Sequence, residues 1–468
     1  MTKITTPIIP SIQTYAKVQA PHELHLEAIC VFSAIGFFLD RDTYWKDEVV
    51  LPPGCHHQLD ETGHVVTSEP YFNWHYTPNS SLTFDRALSQ FTTLFEQIVE
   101  EQTKNKRVIL PLSGGLDSRT QAVALHQLGA KVKSYSYEFE GGYHETAIAK
   151  QVAGACGFDF EAFKISKGYL WGCIDTLAAL NHCETDFTAP RQMAVMEQLG
   201  AMGDLFSLGH WGDVLFDDVG VEDHLSFDDQ VAVVIKKLLK KGGLELAENL
   251  WKSWQLEGDF YDYFHERIKN LLKQIDIPNS ANAQIRAFKS TYWAPRWTSV
   301  NLGLFKDKQP ITLPYYDNRM CEWICTVPES ILAQRQLQIA YIKKRAPKLG
   351  RITWQDQRPY NLYNYTKNTP TNNWPYKAFQ KVKRTMKTLV GQPYIQRNWE
   401  LQFLGERNRE QLESCLFEKA FQEWVPKTLI ETKVAHFYNQ PQAQTAHPIN
   451  MLLVLAKFNQ QNTSIGAA

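Results

Sequence analysis

The sequence lacks the features of several large classes of protein. Its 49 Lys and Arg balance 50 Asp and Glu, a net charge of −1, so no excess charge draws the chain to nucleic acid or to an anionic membrane. The longest apolar run, residues 28–39, is shorter than the roughly 20 residues that span a bilayer. A signal peptide, an internal repeat and a low-complexity tract are also missing. The sequence therefore predicts a soluble, cytoplasmic protein with no transmembrane segment and no nucleic-acid partner.

Cysteines are also few, with eight scattered through 468 residues. Without an export signal, reduced thiols are expected rather than a disulfide framework. Cys321 and Cys325 form the only close pair, and no second Cys or His pair lies nearby to complete a zinc site. We expect this pair to lie in a hydrophobic core.

The most informative stretch is an apolar run, a glycine loop and an amphipathic segment in succession. Residues 107–112 have the composition of a buried strand, residues 113–118 read SGGLDS, and residues 119–128 have helical periodicity. Two glycines let backbone N–H groups approach an anion, two serine hydroxyls add donors, and the helix N-terminus favours negative charge. The stretch predicts a phosphate-binding loop.

Asp117 is the unusual member of this loop. A carboxylate repels phosphate unless a cation lies between them, so its presence predicts Mg²⁺ bound to a polyphosphate. The Gly-Lys-Ser/Thr end of a P-loop is missing. A plain turn between strand and helix is the alternative, but the loop ends a strand in a region where residues 131–139 form another, and open parallel sheets bind ligands at that edge.

The SGGLDS loop resembles the pyrophosphate loop of the N-type ATP pyrophosphatases. A helix opening at residues 143–145 and ending near residue 157, the segment 188–216, and the segments 313–317 and 341–344 follow in the order found in asparagine synthetase and its relatives, beta-lactam synthetase and the lasso-peptide cyclases. The resemblance covers roughly residues 22–360. It implies an α/β fold with a doubly wound parallel sheet, of the adenine nucleotide alpha hydrolase-like kind.

Apolar spacing at residues 22–35 predicts a helix, and two short runs around residues 57 and 65–66, separated by the turn residues 60–63, predict a hairpin before a boundary near residue 80. The resemblance then suggests what each part of the chain is. We expect a helix and hairpin in residues 1–80, a remnant of a glutaminase-like domain, then an ATP-binding domain in residues 81–360 and a helical region in residues 361–468. The expected cofactors are ATP and Mg²⁺. The residues matching the family's nucleotide and metal positions are Leu112, Ser113, Gly114, Gly115, Asp117, Ser118, Gly209 and Gly212 for ATP, and Asp117 and Asp213 for Mg²⁺.

The second loop, residues 209–216, departs from the family pattern. His210 stands where asparagine synthetases carry an acidic residue, and Val214 where a Glu usually follows the aspartate. His210 fits two roles equally, a proton acceptor for the incoming amine or a hydrogen-bonding neighbour of the loop. The family's later lysine aligns with Gln357, and the adjacent Arg358 is the candidate that replaces it electrostatically, although a guanidinium is not an acid or base. His210 and Arg358 are thus the predicted catalytic residues.

The resemblance implies an ATP-dependent carbon–nitrogen ligase that adenylates a carboxylate and transfers it to an amine or ammonia, releasing AMP and pyrophosphate. The chain begins Met1-Thr2-Lys3 rather than with a catalytic Cys, so we expect a separate glutaminase or another amine donor. The carboxylate is a small molecule or a peptide, and a homo-oligomer is left open. Two alternatives are an impaired nucleotide-binding relative and a tRNA-thiolating enzyme. The isolated cysteines and the near-neutral net charge disfavour the tRNA-thiolating enzyme.

Beyond residue 360 the composition predicts a loop at 361–374 and a basic amphipathic helix at 376–390. Such a helix docks on an anionic lipid surface, a polyanionic substrate or a carrier protein, or it is a packed helix with a solvated face. We favour the packed helix.

Overall fold

The computed structural model describes residues 1–144, 146–389, 391 and 394–465. Glu145, at the predicted start of a helix, and Val390, at the predicted end of the basic helix, lie outside the described residues. The strands are β1 (Thr2–Thr5), β2 (Tyr15–Lys17), β3 (Glu48–Val50), β4 (Cys55–Leu59), β5 (Val65–Pro70), β6 (Arg107–Pro111), β7 (Lys131–Phe139), β8 (Asp159–Ile165), β9 (Leu205–Ser207) and β10 (Ile311–Thr312).

Helices make up most of the rest of the described chain. They are α1 (Leu26–Ile35), α2 (Phe84–Thr103), α3 (Asp117–Gln127), α4 (Thr146–Cys156), α5 (Ile174–Leu180), α6 (Met196–Gly200), α7 (Gly212–Leu215), α8 (Phe227–Leu238), α9 (Gly243–Ser253), α10 (Phe260–Ile275), α11 (Ala281–Phe288), α12 (Ser299–Asn301), α13 (Gly303–Lys306), α14 (Asn318–Ile324), α15 (Glu329–Leu332), α16 (Gln336–Arg345), α17 (Pro347–Gly350), α18 (Pro370–Leu389), α19 (Asn398–Phe403), α20 (Glu406–Leu416), α21 (Lys419–Trp424), α22 (Lys427–Asn439) and α23 (Ala443–Ile465). A π-helix, Lys289–Thr298, continues α11.

The central sheet is parallel, with strand order β10-β9-β6-β7-β8. The chain runs outward from β6 through β7 to β8 and then returns to the other side of β6 as β9. Because parallel crossovers are right-handed, this reversal places helices on opposite faces and opens a crevice between the carboxyl ends of β6 and β9. The predicted doubly wound α/β fold is confirmed.

The predicted strand before the glycine loop forms as β6, in the middle of this sheet. Val108, Ile109 and Leu110 are fully buried, as expected for a strand that is covered on both faces. The helix after the loop begins at Asp117, two residues earlier than predicted, so the acidic residue lies in the first helical turn.

A small antiparallel sheet, β1-β4-β5, contains the predicted hairpin. Its turn is held by Asp60 Oδ1, which accepts the N–H groups of Thr62 and His64 at 2.9 and 2.8 Å. The pairing of β1 was not predicted, because its short polar sequence has no alternation of apolar residues.

Two large hydrophobic cores lie in the described chain. One surrounds the parallel sheet, and the other joins α1 to α8–α10 and to the C-terminal helices α19–α23. His447 Nε2 on α23 donates to the Ser33 carbonyl on α1 at 2.9 Å, across almost the whole sequence. The division of the chain at residues 80 and 360 stays a prediction. The second core includes helices from all three predicted parts of the chain.

The cysteine pair lies where the sequence predicted. Cys321 and Cys325 are buried in the core around the sheet, and both thiols are free. No helix of the described residues has the length and apolarity to cross a membrane.

The structure after residue 360 contradicts two of the predictions made from the sequence. Residues 370–374, predicted as loop, form the start of α18, with Pro370 at a first helical position that suits its fixed φ. Phe379, Val382 and Met386 are 58–66% exposed, so the predicted packed helix is wrong. An apolar stripe has the same sequence pattern whether it packs on its own chain or not, so periodicity does not decide between the two.

Candidate active site

The loops after β6 and β9 lie side by side at the point where the strand order reverses. The two strands pair in register, Val108 with Leu205 and Ile109 with Phe206. A Cβ on Gly209 would lie 2.9 Å from Gln121 Oε1 and 3.2 Å from the Ser118 nitrogen. The second loop therefore packs directly on the first turn of α3, and Gly209 is required for this close approach.

Backbone N–H groups of the first loop donate to side-chain oxygens. Ser113 N–H donates to Ser118 Oγ, and Gly115 N–H donates to Ser113 Oγ, both at 3.1 Å. Gly114 N–H donates to Gln355 Oε1 at 3.0 Å. Hydroxyl and amide oxygens are weaker acceptors than phosphate oxygens, so a bound phosphate can replace them. The two serine hydroxyls, predicted as donors, accept these backbone hydrogen bonds here, and phosphate binding by the loop stays a prediction.

The first loop is anchored to residues 349–355 by a buried arginine that the sequence did not single out. Arg119 is fully buried, and burial lowers its pKa to about 10. Its guanidinium donates to the carbonyl oxygens of Gly114, Leu349, Ile352 and Thr353 at 2.8–3.2 Å. The position of the loop thus depends on a segment more than 200 residues further along the chain.

Asp117 lies between two donors from a distant helix and its preceding turn. Its Oδ1 accepts hydrogen bonds from Gln338 Nε2 at 3.0 Å and from the Arg335 guanidinium. Burial raises the pKa of Asp117 to about 6, although Arg335 lowers it; the nearby Asp213 raises it further. Both hydrogen bonds fall on one oxygen, and no described residue donates to Oδ2.

The second loop brings Asp213 to the same place. A Cβ on Gly212 would overlap Asp117 Oδ1 and would lie 2.8 Å from the Tyr315 ring. The backbone just before Asp213 thus touches the carboxyl group of Asp117. Asp213 is exposed, and both carboxylates line one cavity of about 570 Å³.

We expect Gly212→Ala to disturb this convergence. Because the added methyl group overlaps the Asp117 carboxylate, one loop must shift, and Mg-ATP affinity should fall at least about 10-fold, with about 1–3 kcal/mol lost in unfolding free energy. Calorimetric titration and urea unfolding measure the two effects. Gly154→Ala is the matched control, since a Cβ there would meet no heavy atom of the described residues within 4 Å. Unchanged affinity in Gly212→Ala would contradict the close approach.

Most of the predicted site residues reach this cavity. Its wall includes Leu112, Ser113, Asp117, Ser118, Gly209, His210 and Asp213. The predicted glycines Gly114, Gly115 and Gly212 belong to the same two loops but do not line the cavity.

Arg358 was predicted as a catalytic residue, but a different residue of its segment lines the cavity. Gln355 lines the wall, whereas Gln357 and Arg358 do not, and Gln357 Oε1 accepts from Asn368 Nδ2 at 2.6 Å. The catalytic role of Arg358 stays a prediction, with no contact to the cavity to support it.

His210 lies in the cavity wall as a neutral imidazole. Burial lowers its pKa to about 4, and the nearby Asp213 only partly opposes this. Its Nδ1 is buried and has no hydrogen-bond partner among the described residues. A neutral ring with an unpartnered nitrogen is able to accept a proton, but a pKa of about 4 makes it a weak base. The place beside Asp213 also fits a loop neighbour, so both roles stay predictions.

Sequence reasoning missed the cations at this site. Arg191 and Lys289 line the cavity, and Arg335 pairs with Asp117. The Lys289 ammonium lies 5.8 Å from the ring centre of Trp211 and 5.6 Å from that of Trp293. Burial lowers the pKa of Lys289, and Asp213 opposes this. The three cations come from separate segments with no common spacing, so the sequence carries no signal for them.

The donor set fits Mg²⁺ that is bound together with a nucleotide. In the described residues no group of three or more His, Cys, Asp and Glu side chains is placed to hold a metal. Burial is the main cause of the raised pKa of Asp117, and the charge of Asp213 adds to it; a cation between the two carboxylates relieves their repulsion. Mg²⁺ characteristically takes one or two carboxylates and completes its shell with phosphate oxygens and water.

Part of the chain matches a known protein family. Residues 90–204 match the asparagine synthase family. The matched range holds the first loop and ends just before β9, so Asp117 lies within it, whereas His210 and Asp213 lie outside. At the family level this match indicates an ATP-dependent carbon–nitrogen ligase. The chain has no significant match among curated protein sequences.

Proposed function

We propose, on the premise that residues 90–204 form an asparagine synthase-like domain, that the chain is an AMP-forming ligase that joins a carboxylate to an amine or ammonia. The observation that carries this proposal is the convergence of the 113–118 loop, Asp117 and Asp213 on one cavity at the sheet's switch point. Phosphate donors and two carboxylates in one crevice suit a magnesium-bound triphosphate.

In this proposal the first loop holds the phosphates that leave. The N–H groups of Ser113, Gly114 and Gly115 exchange their internal acceptors for phosphate oxygens, and the N-terminus of α3 adds a favourable dipole. Asp117 and Asp213 would hold Mg²⁺, which when bound screens the negative charge that develops on the leaving pyrophosphate.

The reaction has two steps. An oxygen of the substrate carboxylate attacks the α-phosphorus of ATP, a carboxyl–phosphate bond forms, and the bond to the β-phosphate oxygen breaks to release pyrophosphate. An amine then attacks the activated acyl carbon, the carbon–oxygen bond to AMP breaks, and the amine loses a proton. His210 accepts that proton, and Lys289 lies on the same wall as a cation for the developing negative charge.

The test is the identity of the products. Full-length protein is incubated with ATP, Mg²⁺, ammonia and the small-molecule fraction of a cell extract, and nucleotides are quantified by ³¹P NMR. We expect AMP and pyrophosphate in equal amounts, dependent on the extract. ADP and phosphate as products would overturn the proposal.

His210→Asn should separate the two steps. Because His210 acts only on the amine, pyrophosphate release in a single turnover should keep its rate, whereas AMP release should slow about 100-fold. His126→Asn is the control, since His126 lies away from the cavity with Nδ1 2.9 Å from the Cys156 carbonyl oxygen. Equal slowing of both steps would count against the proton-acceptor role.

A nucleotide-binding protein without turnover is the second candidate. It is favoured by Val214 in place of the family's glutamate and by the absence of Gln357 and Arg358 from the cavity wall. The same experiment separates the two, since binding of Mg-ATP without AMP formation from any extract supports this candidate.

Nothing at the site favours thiolation. None of the cysteines lines the cavity, and burial raises the pKa of all eight thiols. A sulfur-transfer enzyme needs an accessible thiolate.

A further inference from the structure

A second cavity, of about 530 Å³, adjoins the first. Arg191 and Trp297 line both cavities and therefore form the boundary between them. The rest of the second wall comes from the end of β7, the segment 186–189, the turn before α9, the start of α19 and the start of α23. None of these wall residues lines the first cavity. Its size is that of a pocket for a small organic molecule.

The second cavity carries an excess of positive charge. Its wall holds Arg191, Lys240, Lys241 and Arg397, against the single carboxylate of Asp186. Asp186 makes its hydrogen bonds to neighbouring side chains and backbone rather than to these cations. Its Oδ1 accepts from Thr188 N–H at 3.0 Å, from the Thr188 hydroxyl at 2.8 Å and from Asn450 Nδ2 at 3.2 Å. His447 also lines the wall, but burial lowers its pKa to about 4 and it is neutral.

These four cations outnumber the acidic groups beside the cavity, Asp186 on its wall and Glu400 near Arg397. None of them takes part in an ion pair with any described residue. The nearby Glu400 directs its two oxygens to the backbone N–H groups of Gln396 and Arg397 at the start of α19. Four cations against one lining carboxylate leave an excess of positive charge around the cavity, and an anionic ligand reduces the repulsion among them.

Aromatic rings hold two of the cations in place. The Arg191 guanidinium lies 5.9 Å from the ring centre of Tyr137 and 5.8 Å from that of Phe139. Tyr137 lines the first cavity and Phe139 the second, so Arg191 spans the boundary. Lys240 lies 5.7 Å from the ring centre of Trp297. A cation over a ring is oriented without losing its charge and remains available to an anion.

We propose that the second cavity binds the phosphate or diphosphate group of an organic substrate whose reacting end passes Arg191 and Trp297 into the first cavity. A phosphate ester carries about two negative charges at neutral pH and matches several cations, whereas a single carboxylate carries one. Arginine forks suit phosphate oxygens, and the indoles of Trp297 and Trp399 provide apolar walls for the organic part. The role as a substrate site rests on the proposed function, and the binding of the anion does not.

The test is a calorimetric titration of full-length protein saturated with Mg²⁺ and a non-hydrolysable ATP analogue, which fills the first cavity. Phenyl phosphate is the probe, with inorganic phosphate and citrate as separate arms. We expect one further site that binds phenyl phosphate at least 5-fold more tightly than inorganic phosphate. Equal affinity for phenyl phosphate and inorganic phosphate would overturn the proposal of a phosphate-ester site in favour of a simple anion site. Tighter binding of citrate would overturn it in favour of a polycarboxylate site.

Matched double variants locate that site. Lys240→Gln with Arg397→Gln should weaken phenyl phosphate at least 10-fold and leave the affinity for the ATP analogue unchanged. Lys236→Gln with Arg407→Gln removes the same charge from exposed positions outside the cavity and should change neither. Equal loss in both doubles, or no second binding event, would overturn the proposal. Failure of the ATP analogue to bind would instead contradict the proposed function. In that case the phenyl phosphate titration is repeated without the analogue, and the same two double variants still show whether the probe binds in the second cavity.

Discussion

Asp213→Asn and Asp117→Asn will each remove the Mg²⁺ dependence of ATP binding and lower the rate of pyrophosphate formation about 1,000-fold. The reason is that, in the proposed site, each of these carboxylates would hold Mg²⁺, and the variant puts a neutral amide at the centre of charge development. Calorimetric titration of ATP with Mg²⁺ and again with EDTA measures the first effect. We expect the two titrations to differ in the wild-type protein and to coincide in each variant.

The two variants differ in their structural consequences. Asp117 pairs with the mostly buried Arg335, so its replacement leaves that guanidinium without a carboxylate partner and should also lower stability. Asp213 is exposed and has no such partner among the described residues, so Asp213→Asn should keep the wild-type unfolding midpoint. Asp228→Asn, an exposed aspartate outside the cavity, is the control for charge. A Mg²⁺ dependence that survives in Asp213→Asn would show that the two aspartates do not share a metal.

Arg119→Met will lower the free energy of unfolding by about 3–5 kcal/mol. The methionine fills much of the space but leaves four buried carbonyl oxygens without the donors that Arg119 provides. Urea unfolding followed by circular dichroism measures the loss. Because the same side chain ties the first loop to residues 349–355, Mg-ATP affinity should fall as well.

Arg107→Met is the matched control for this loss. Arg107 begins β6, close in sequence to Arg119, but its guanidinium pairs with Asp204 at the protein surface at 2.7 Å. Exposed ion pairs contribute little, so the unfolding midpoint should hardly move. If Arg119→Met unfolded at the same urea concentration as Arg107→Met, the buried guanidinium would not be the anchor of the loop.

Local sequence was sufficient for the elements around the first loop. The apolar run 107–112, the SGGLDS loop and the helical periodicity after it each depend on neighbouring residues, and all three form in the structure as predicted to within two residues. The hairpin at residues 55–70 followed in the same way from two short runs and a turn. The prediction for α18 failed because an exposed apolar stripe and a packed one have the same periodicity.

By itself, the sequence determined the parallel α/β sheet, the glycine loop between its central strand and the next helix, and the two acidic residues that meet at one cavity. The tertiary structure alone decided that Lys289, Arg335 and Arg191 are the cations at this place, that Gln355 rather than Arg358 faces the cavity, and that a second basic cavity lies behind Trp297. The physical reason is the range of the interactions involved. Hydrophobic periodicity and turn chemistry depend on residues that are close in sequence. Charged side chains from distant segments come together only after the chain has packed, so their spacing in the sequence does not predict that they will be neighbours.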